Sequence, residues 1–249
     1  MKTILSGVIV LMALPAFATP ITSPFYLPQG GHVVSQTVAD YTKNKAKETP
    51  SVRTYRKKLG QRFTLGLGAG LAALLEGELD WTRQKQQMTV SRPHTKSYGA
   101  GLKSQWTWDK TVMQIATLYH QTTNVDFDPR REIQAHVRLG QSLKTMTPYL
   151  HLTGTFPLNA WDDLNMPVYR AETGVFQPIK TSMTLDTALY LQYDKNTKER
   201  SYGIRGEWSY MATSWMAVSL NGEWQARGKT AGNTKTYHGT VGAKLTFAF

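Results

Sequence analysis

Tyr237-His238-Gly239-Thr240-Val241-Gly242-Ala243-Lys244-Leu245-Thr246-Phe247-Ala248-Phe249 closes the chain. Tyr237, Gly239, Val241, Ala243, Leu245, Phe247 and Phe249 are apolar or small. The positions between them, His238, Thr240, Gly242, Lys244, Thr246 and Ala248, are mostly polar. Side chains of a strand point alternately to opposite faces, so this stretch is a strand with one oily side and one wet side.

The same alternation recurs upstream. Phe63, Leu65, Leu67 and Leu71 share one parity, and Leu75, Leu79 and Trp81 follow. Tyr98, Leu102, Trp106 and Trp108 lead into a tight turn at Asp109-Lys110, from which Met113, Ile115 and Tyr119 run on. Further runs are Ile133 to Leu139, Leu150 to Phe156, Tyr169 to Val175 with a turn at Pro178, Met183 to Tyr193, Tyr202 to Tyr210 and Met216 to Trp224. The period is 2 rather than 3.6, which selects strands over amphipathic helices. Each run has about the 9–11 residues that a tilted strand needs to cross a bilayer.

Short connections near 70–73, 109–110, 143–147, 178–181 and 211–214 alternate with longer, more polar ones near 85–95, 122–131, 157–168, 194–200 and 227–235. Short periplasmic turns alternating with longer outer loops is the pattern of a membrane barrel. About eleven runs are clear, and bacterial single-chain barrels have an even number. The missing strand is assigned to Gly31 to Thr42, with Val33, Val34 and Val38, joined by a basic loop at Lys43 to Ser51 to a long strand starting near Val52. The expected fold is therefore all-β: a transmembrane antiparallel up-and-down β-barrel over 31–249 with about twelve strands. Ten is the alternative, if residues 19–60 lie outside the wall. A soluble sandwich or lipocalin-like barrel would carry the same alternation with its oily face inward.

At the other end, Lys2 precedes an apolar run from Ile4 to Leu14 and the small-x-small site Ala16-Phe17-Ala18. This predicts a signal peptide at 1–18, Sec-type export, and a mature start at Thr19. The run is too short to span a bilayer, which takes about 20 residues. Residues 19–30, with Pro24, Phe25, Tyr26 and Pro28, are expected to form a periplasmic segment or a plug in the barrel mouth. The chain has no cysteine, so neither disulfides nor thiolate chemistry is available to it. Its 7 Trp and 12 Tyr suit aromatic girdles at two membrane interfaces.

The closing strand also resembles that of Gram-negative outer-membrane β-barrel proteins, which typically end in an aromatic residue, most often Phe. The resemblance implies residence in the outer membrane of a Gram-negative bacterium. It also implies recognition of the last strand by the barrel-assembly machinery, with Tyr237, Leu245, Phe247 and Phe249 as the signal. It covers the mature chain but specifies location and fold, not a solute.

The formal charge is +12, which suggests an anion pore until charges are sorted by strand parity. The basic residues expected to face the lumen are Arg62, Lys103, Arg138, Arg170, Arg205 and Lys244. The acidic ones are Glu76, Glu78, Asp80, Glu132, Glu172, Asp186, Glu207 and Glu223, joined by His136, His151 and His238. Glu76, Glu78 and Asp80 crowd one face of one strand and call for basic partners, for which Arg62 and Lys103 are the natural candidates. The positive excess falls in the tail and loops: Lys43, Lys45, Lys47, Arg53, Arg56, Lys57, Lys58, Arg83, Lys85, Arg92, Lys96, Arg130, Arg131, Lys195, Lys198, Arg200, Arg227, Lys229 and Lys235. A basic outer rim suits the phosphates of lipopolysaccharide as partner, beside the outer-membrane lipids themselves. Nucleic acid, the usual partner of a basic chain, does not fit an exported barrel.

An outer-membrane hydrolase would use groups near the rim, such as His120, Asp126, Asp128, Asp162 and Asp163. No serine accompanies His120, and acidic pairs in loops are commonly turn formers. Calcium-loop spacing is missing, and no metal or cofactor is expected. Gly66, Gly68 and Gly70 lack the following helix that a phosphate loop requires, and instead mark curvature or close approach of another segment. The sequence thus points to a passive channel or porin for small hydrophilic solutes. A closed structural or surface-interaction barrel and an outer-membrane hydrolase are the alternatives. Oligomeric state is not legible.

Overall fold

Alternation along the chain becomes twelve strands: β1 (Val33–Ala46), β2 (Arg53–Gly68), β3 (Leu71–Gln84), β4 (Thr95–Trp108), β5 (Thr111–Asn124), β6 (Phe127–Gln141), β7 (Thr147–Pro157), β8 (Val168–Lys180), β9 (Met183–Asp194), β10 (Glu199–Met211), β11 (Met216–Arg227) and β12 (Thr236–Ala248). Each pairs antiparallel with its sequence neighbours, and β1 pairs with β12, so the sheet closes on itself. The seam runs from Val34 opposite Ala248 to Ala46 opposite Thr236. Val33 and Phe249 finish it by exchanging backbone hydrogen bonds, N to O at 2.9 and 2.8 Å. Closure leaves no strand edge unpaired, which hydrocarbon demands. The computed structural model describes residues 19–46, 53–84, 95–124, 127–159, 166–227 and 236–249. The expected 1–18 leader lies outside them.

The barrel has twelve strands, as the parity count required, and the weak first strand is real. Short turns at 69–70, 109–110, 142–146, 181–182 and 212–215 share one end with Val33 and Phe249. Pro178 does not end its strand: β8 runs on to Lys180 past a register irregularity between Pro178 and Lys180. A proline is tolerated there because a bulge does not need its missing N–H. At the other end the connections are shorter than expected. The 194–200 connection reduces to 195–198 and the 122–131 connection to 125–126. Strands of 11 to 16 residues exceed what crossing requires, and the surplus absorbs residues that read as loop.

The oily parity faces outward. Leu75, Leu102, Leu191 and Val241 are 57%, 63%, 67% and 62% exposed. A soluble barrel would turn these residues inward; a wall presenting them outward is built for hydrocarbon. Aromatic contacts flank this band at both ends. Phe247 stacks on Trp215 and Phe249 at the short-turn end. Trp224 packs with Tyr202 and Tyr237, and Phe156 with Tyr169, at the other. These are the two interfacial girdles. The buried apolar cluster of Phe25, Tyr149, Phe176 and Ala188, with Val112 against it, sits inside the barrel near the short turns.

Candidate functional site: the lumenal wall

Residues opposite one another in an antiparallel pair share a face. Arg62 stands opposite Glu76, Arg138 opposite His151, and His151 opposite Glu172. Arg205 stands opposite Glu223, and Glu207 opposite Asp186. Lys103 faces Ala72 and Ala116, His136 faces Thr153, and His238 faces Gln225. Followed round the barrel, these registers put every residue assigned to the lumen on one face, with Glu78, Asp80, Glu132, Arg170 and Lys244 included. Contacts that skip a strand identify that face as the inner one, because only on the concave side do side chains two strands apart converge. Arg205 of β10 reaches Glu172 of β8 at 3.0 Å. Arg170 of β8 reaches Glu223 of β11 at 3.3 Å. Asn221 of β11 donates to Asp40 of β1 at 3.1 Å, and Lys244 of β12 pairs with Glu207 of β10.

The acidic row on β3 is neutralised strand to strand. Arg56 pairs with Asp80, Lys58 with Glu78, and Arg62 Nε donates to Glu76 at 2.7 Å. His120 of β5 reaches the second oxygen of Glu76. Two expectations change here. Arg56 and Lys58, read as part of the outer basic set, belong to the inner face of β2, because that strand begins at Arg53 and carries them into the wall. Lys103 is not a partner of the acidic row; its ammonium points to the backbone carbonyl of Tyr26 at 3.5 Å.

A second cluster occupies the opposite wall. Arg205 donates to Glu172 and Asp186, each at 3.0 Å, and to the Tyr149 hydroxyl at 2.8 Å. Tyr149 in turn donates to Asp186 at 2.6 Å. Arg170 donates to Glu172 at 2.7 Å and lies 3.7 Å above the ring of Tyr190, whose hydroxyl donates to Glu223 at 2.6 Å. His136 and His151 stack at 5.6 Å between ring centres, and Arg138 donates to His151 Nδ1 at 3.3 Å. The Coulomb gain of such pairs is largely offset by desolvation, so the cluster adds specificity more than net stability. Tyr149 was legible by parity, since Leu150 and Leu152 face out. Tyr190 was legible the same way.

Residues 19–32 meet the inner wall at the short-turn end. Ile21 and Phe25 are buried. Thr22 and Thr184 share a hydrogen bond of 2.9 Å between hydroxyls. Arg138 donates to the carbonyl of Pro24 at 2.7 Å, and Phe25 meets Tyr149 edge-on at 6.0 Å. Two glycines make the fit. A Cβ on Gly66 would strike the backbone of Pro28 and Gln29, and one on Gly140 would strike the Phe25 ring. The close approach expected of the Gly66 region is therefore made by this chain's own N-terminal segment.

Of the rim residues considered for hydrolysis, His120 is on the inner face of β5 against Glu76. Asp128 falls in β6. Asp126, Asp162 and Asp163 lie outside the described residues. Of the basic loop set, Lys47, Lys85, Arg92, Lys229 and Lys235 also lie outside them.

No family model matches the sequence, and no curated protein matches it. Solved structures do match. The COG4313 outer membrane channel from Pseudomonas putida superposes with a TM-score of 0.69 at 8% identity, over 91% of this chain and 98% of that one. A NanC porin structure superposes at 0.50 with 13% identity, over 82% and 98%. At these identities the likeness is one of fold: a closed barrel of the kind found in outer-membrane channels and porins.

Proposed function

We propose that this chain is an outer-membrane channel for small hydrophilic solutes, with its short-turn end in the periplasm and residues 19–30 as a plug in that half of the lumen. The observation that carries the reading is the division of the wall. Most strand Leu, Trp and Phe face out, while polar and ionic side chains from Asp40 round to Lys244 dominate the inner face, beside the apolar cluster of Phe25, Phe176 and Ala188 near the short turns. A polar interior is what a water-filled path requires. The mixture of charges argues for weak overall selectivity rather than for one ion sign. On the same reading, the basic residues of the long-loop end pair with lipopolysaccharide phosphates. The closing strand, from Tyr237 to Phe249, addresses the chain to the assembly machinery.

The contact from Arg170 to Glu223, which bridges three strand intervals, favours the second reading of a sealed barrel. Planar-bilayer recording separates the two. Stepwise conductance from the purified protein supports a channel, with larger or more frequent steps once Phe25→Ala loosens the segment. Silence at every voltage, in the wild type and in Phe25→Ala, overturns it in favour of the sealed barrel.

A further inference from the structure

Arg62, Arg170, Arg205 and Lys244 each stand against a carboxylate on the inner wall. Lys103 and Arg138 do not: among the described residues neither has a carboxylate oxygen within 4.0 Å. Both instead donate to backbone carbonyls of the N-terminal segment, Arg138 to Pro24 and Lys103 to Tyr26. Arg138 and Arg62 are near enough to Lys103 for their positive charges to act on it. Asp186 and Glu172 act on Arg138 only from a distance, and both are held by Arg205. Among the described residues the buried Nε of Arg138 has no hydrogen-bond partner. A carbonyl supplies a partial charge where the site carries full positive ones, and an unpaired buried donor is costly.

We propose that Lys103 and Arg138 form a lumenal binding site for a small oxyanion, a carboxylate or phosphate group, which the N-terminal segment covers with its own carbonyls. A guanidinium offers paired donors matched to an oxyanion, and the ammonium adds a point charge beside it. His136 and His151 line the approach from β6 and β7. The Pro24 and Tyr26 carbonyls take the donors that the anion needs, so segment and anion exclude each other. Linkage then makes the anion an opener: whatever binds Lys103 and Arg138 favours withdrawal of residues 19–30, and displacing those residues strengthens anion binding. The proposal rests on the plug reading of that segment but not on conduction.

Isothermal titration of the full-length protein with inorganic phosphate, in a maltoside detergent that carries no phosphate, tests it. Gly140→Leu pushes out the Phe25 ring, and Phe25→Ala removes it without crowding the wall. Both variants are expected to bind phosphate at least about tenfold more tightly than the wild type, because the covered state hides the site. Adding Lys103→Met and Arg138→Met to either variant is expected to abolish that binding. In the wild type, which needs no substitution to fold, phosphate but not chloride is expected to speed hydrogen exchange in residues 19–32. Equal affinity across all forms, binding that survives loss of both cations, or unchanged exchange in the wild type overturns the proposal. Failure of the channel reading would show separately, as absent conductance with phosphate binding intact.

Discussion

The ring of Phe25 fills the place where a Cβ on Gly140 would stand. The ring is also within 5.9 Å of the Arg138 guanidinium carbon and edge-on to Tyr149. One aromatic side chain thus carries much of the attachment between the N-terminal segment and the wall. Phe25→Ala is expected to weaken that attachment by about 3 kcal/mol, the scale of emptying a buried aromatic site. Hydrogen exchange would show faster labelling of residues 19–32 with the strands unchanged. Strand labelling that accelerates equally would mean that the segment supports the whole barrel.

Arg205 joins Glu172, Asp186 and Tyr149. Replacing it with Met leaves Asp186 without its cation, while Glu172 keeps Arg170. A loss of about 3 kcal/mol is expected in urea unfolding from lipid vesicles, because an unpaired buried charge costs more than the pair is worth. Adding Asp186→Asn should recover part of the loss. A double variant as unstable as the simple sum would show that the two residues do not act together.

Leu189 lies near the middle of β9 and is 59% exposed on the outer face. Leu189→Arg is expected to destabilise the barrel by about 2–4 kcal/mol in bilayers, the cost of a cation near the membrane midplane. Unfolding in vesicles of differing thickness would measure it. A neutral result would mean that this face of β9 does not meet lipid.

Phe249 exchanges two backbone hydrogen bonds with Val33, and its carbonyl also meets His32 Nδ1 at 3.1 Å. Deleting Phe249 opens the end of the seam and is expected to cost about 1–3 kcal/mol, the net worth of those bonds. The fraction of protein that keeps its compact, heat-modifiable mobility on gels would fall. Restoring a terminal Leu should recover the backbone bonds, so any remaining defect in cells isolates the role of the aromatic ring in assembly.

Facing was legible residue by residue. Period-2 alternation sorted Leu189 from Tyr190 and Leu245 from Lys244 without reference to any other strand, because the pleat sends neighbours to opposite sides. The strand count followed from the same signal, and so did the polar lumen. Boundaries were less legible. Arg56 and Lys58 read with the basic tail and loops, yet pairing with β3 carries them into the wall.

The sequence by itself therefore determined a barrel of about twelve strands and the side of the wall on which most of its charges stand, Arg56 and Lys58 excepted. All of these depend on a period that acts over two residues. Which charges meet was decided only by the tertiary structure. Arg170 reaches Glu223 because closure and curvature bring β8 and β11 within side-chain reach, a distance that no local pattern encodes. Among the described residues, Lys103 and Arg138 have no carboxylate within 4.0 Å, which no local pattern encodes either. The segment that faces them comes from the far end of the chain, and only the folded barrel brings Pro24 and Tyr26 to their side.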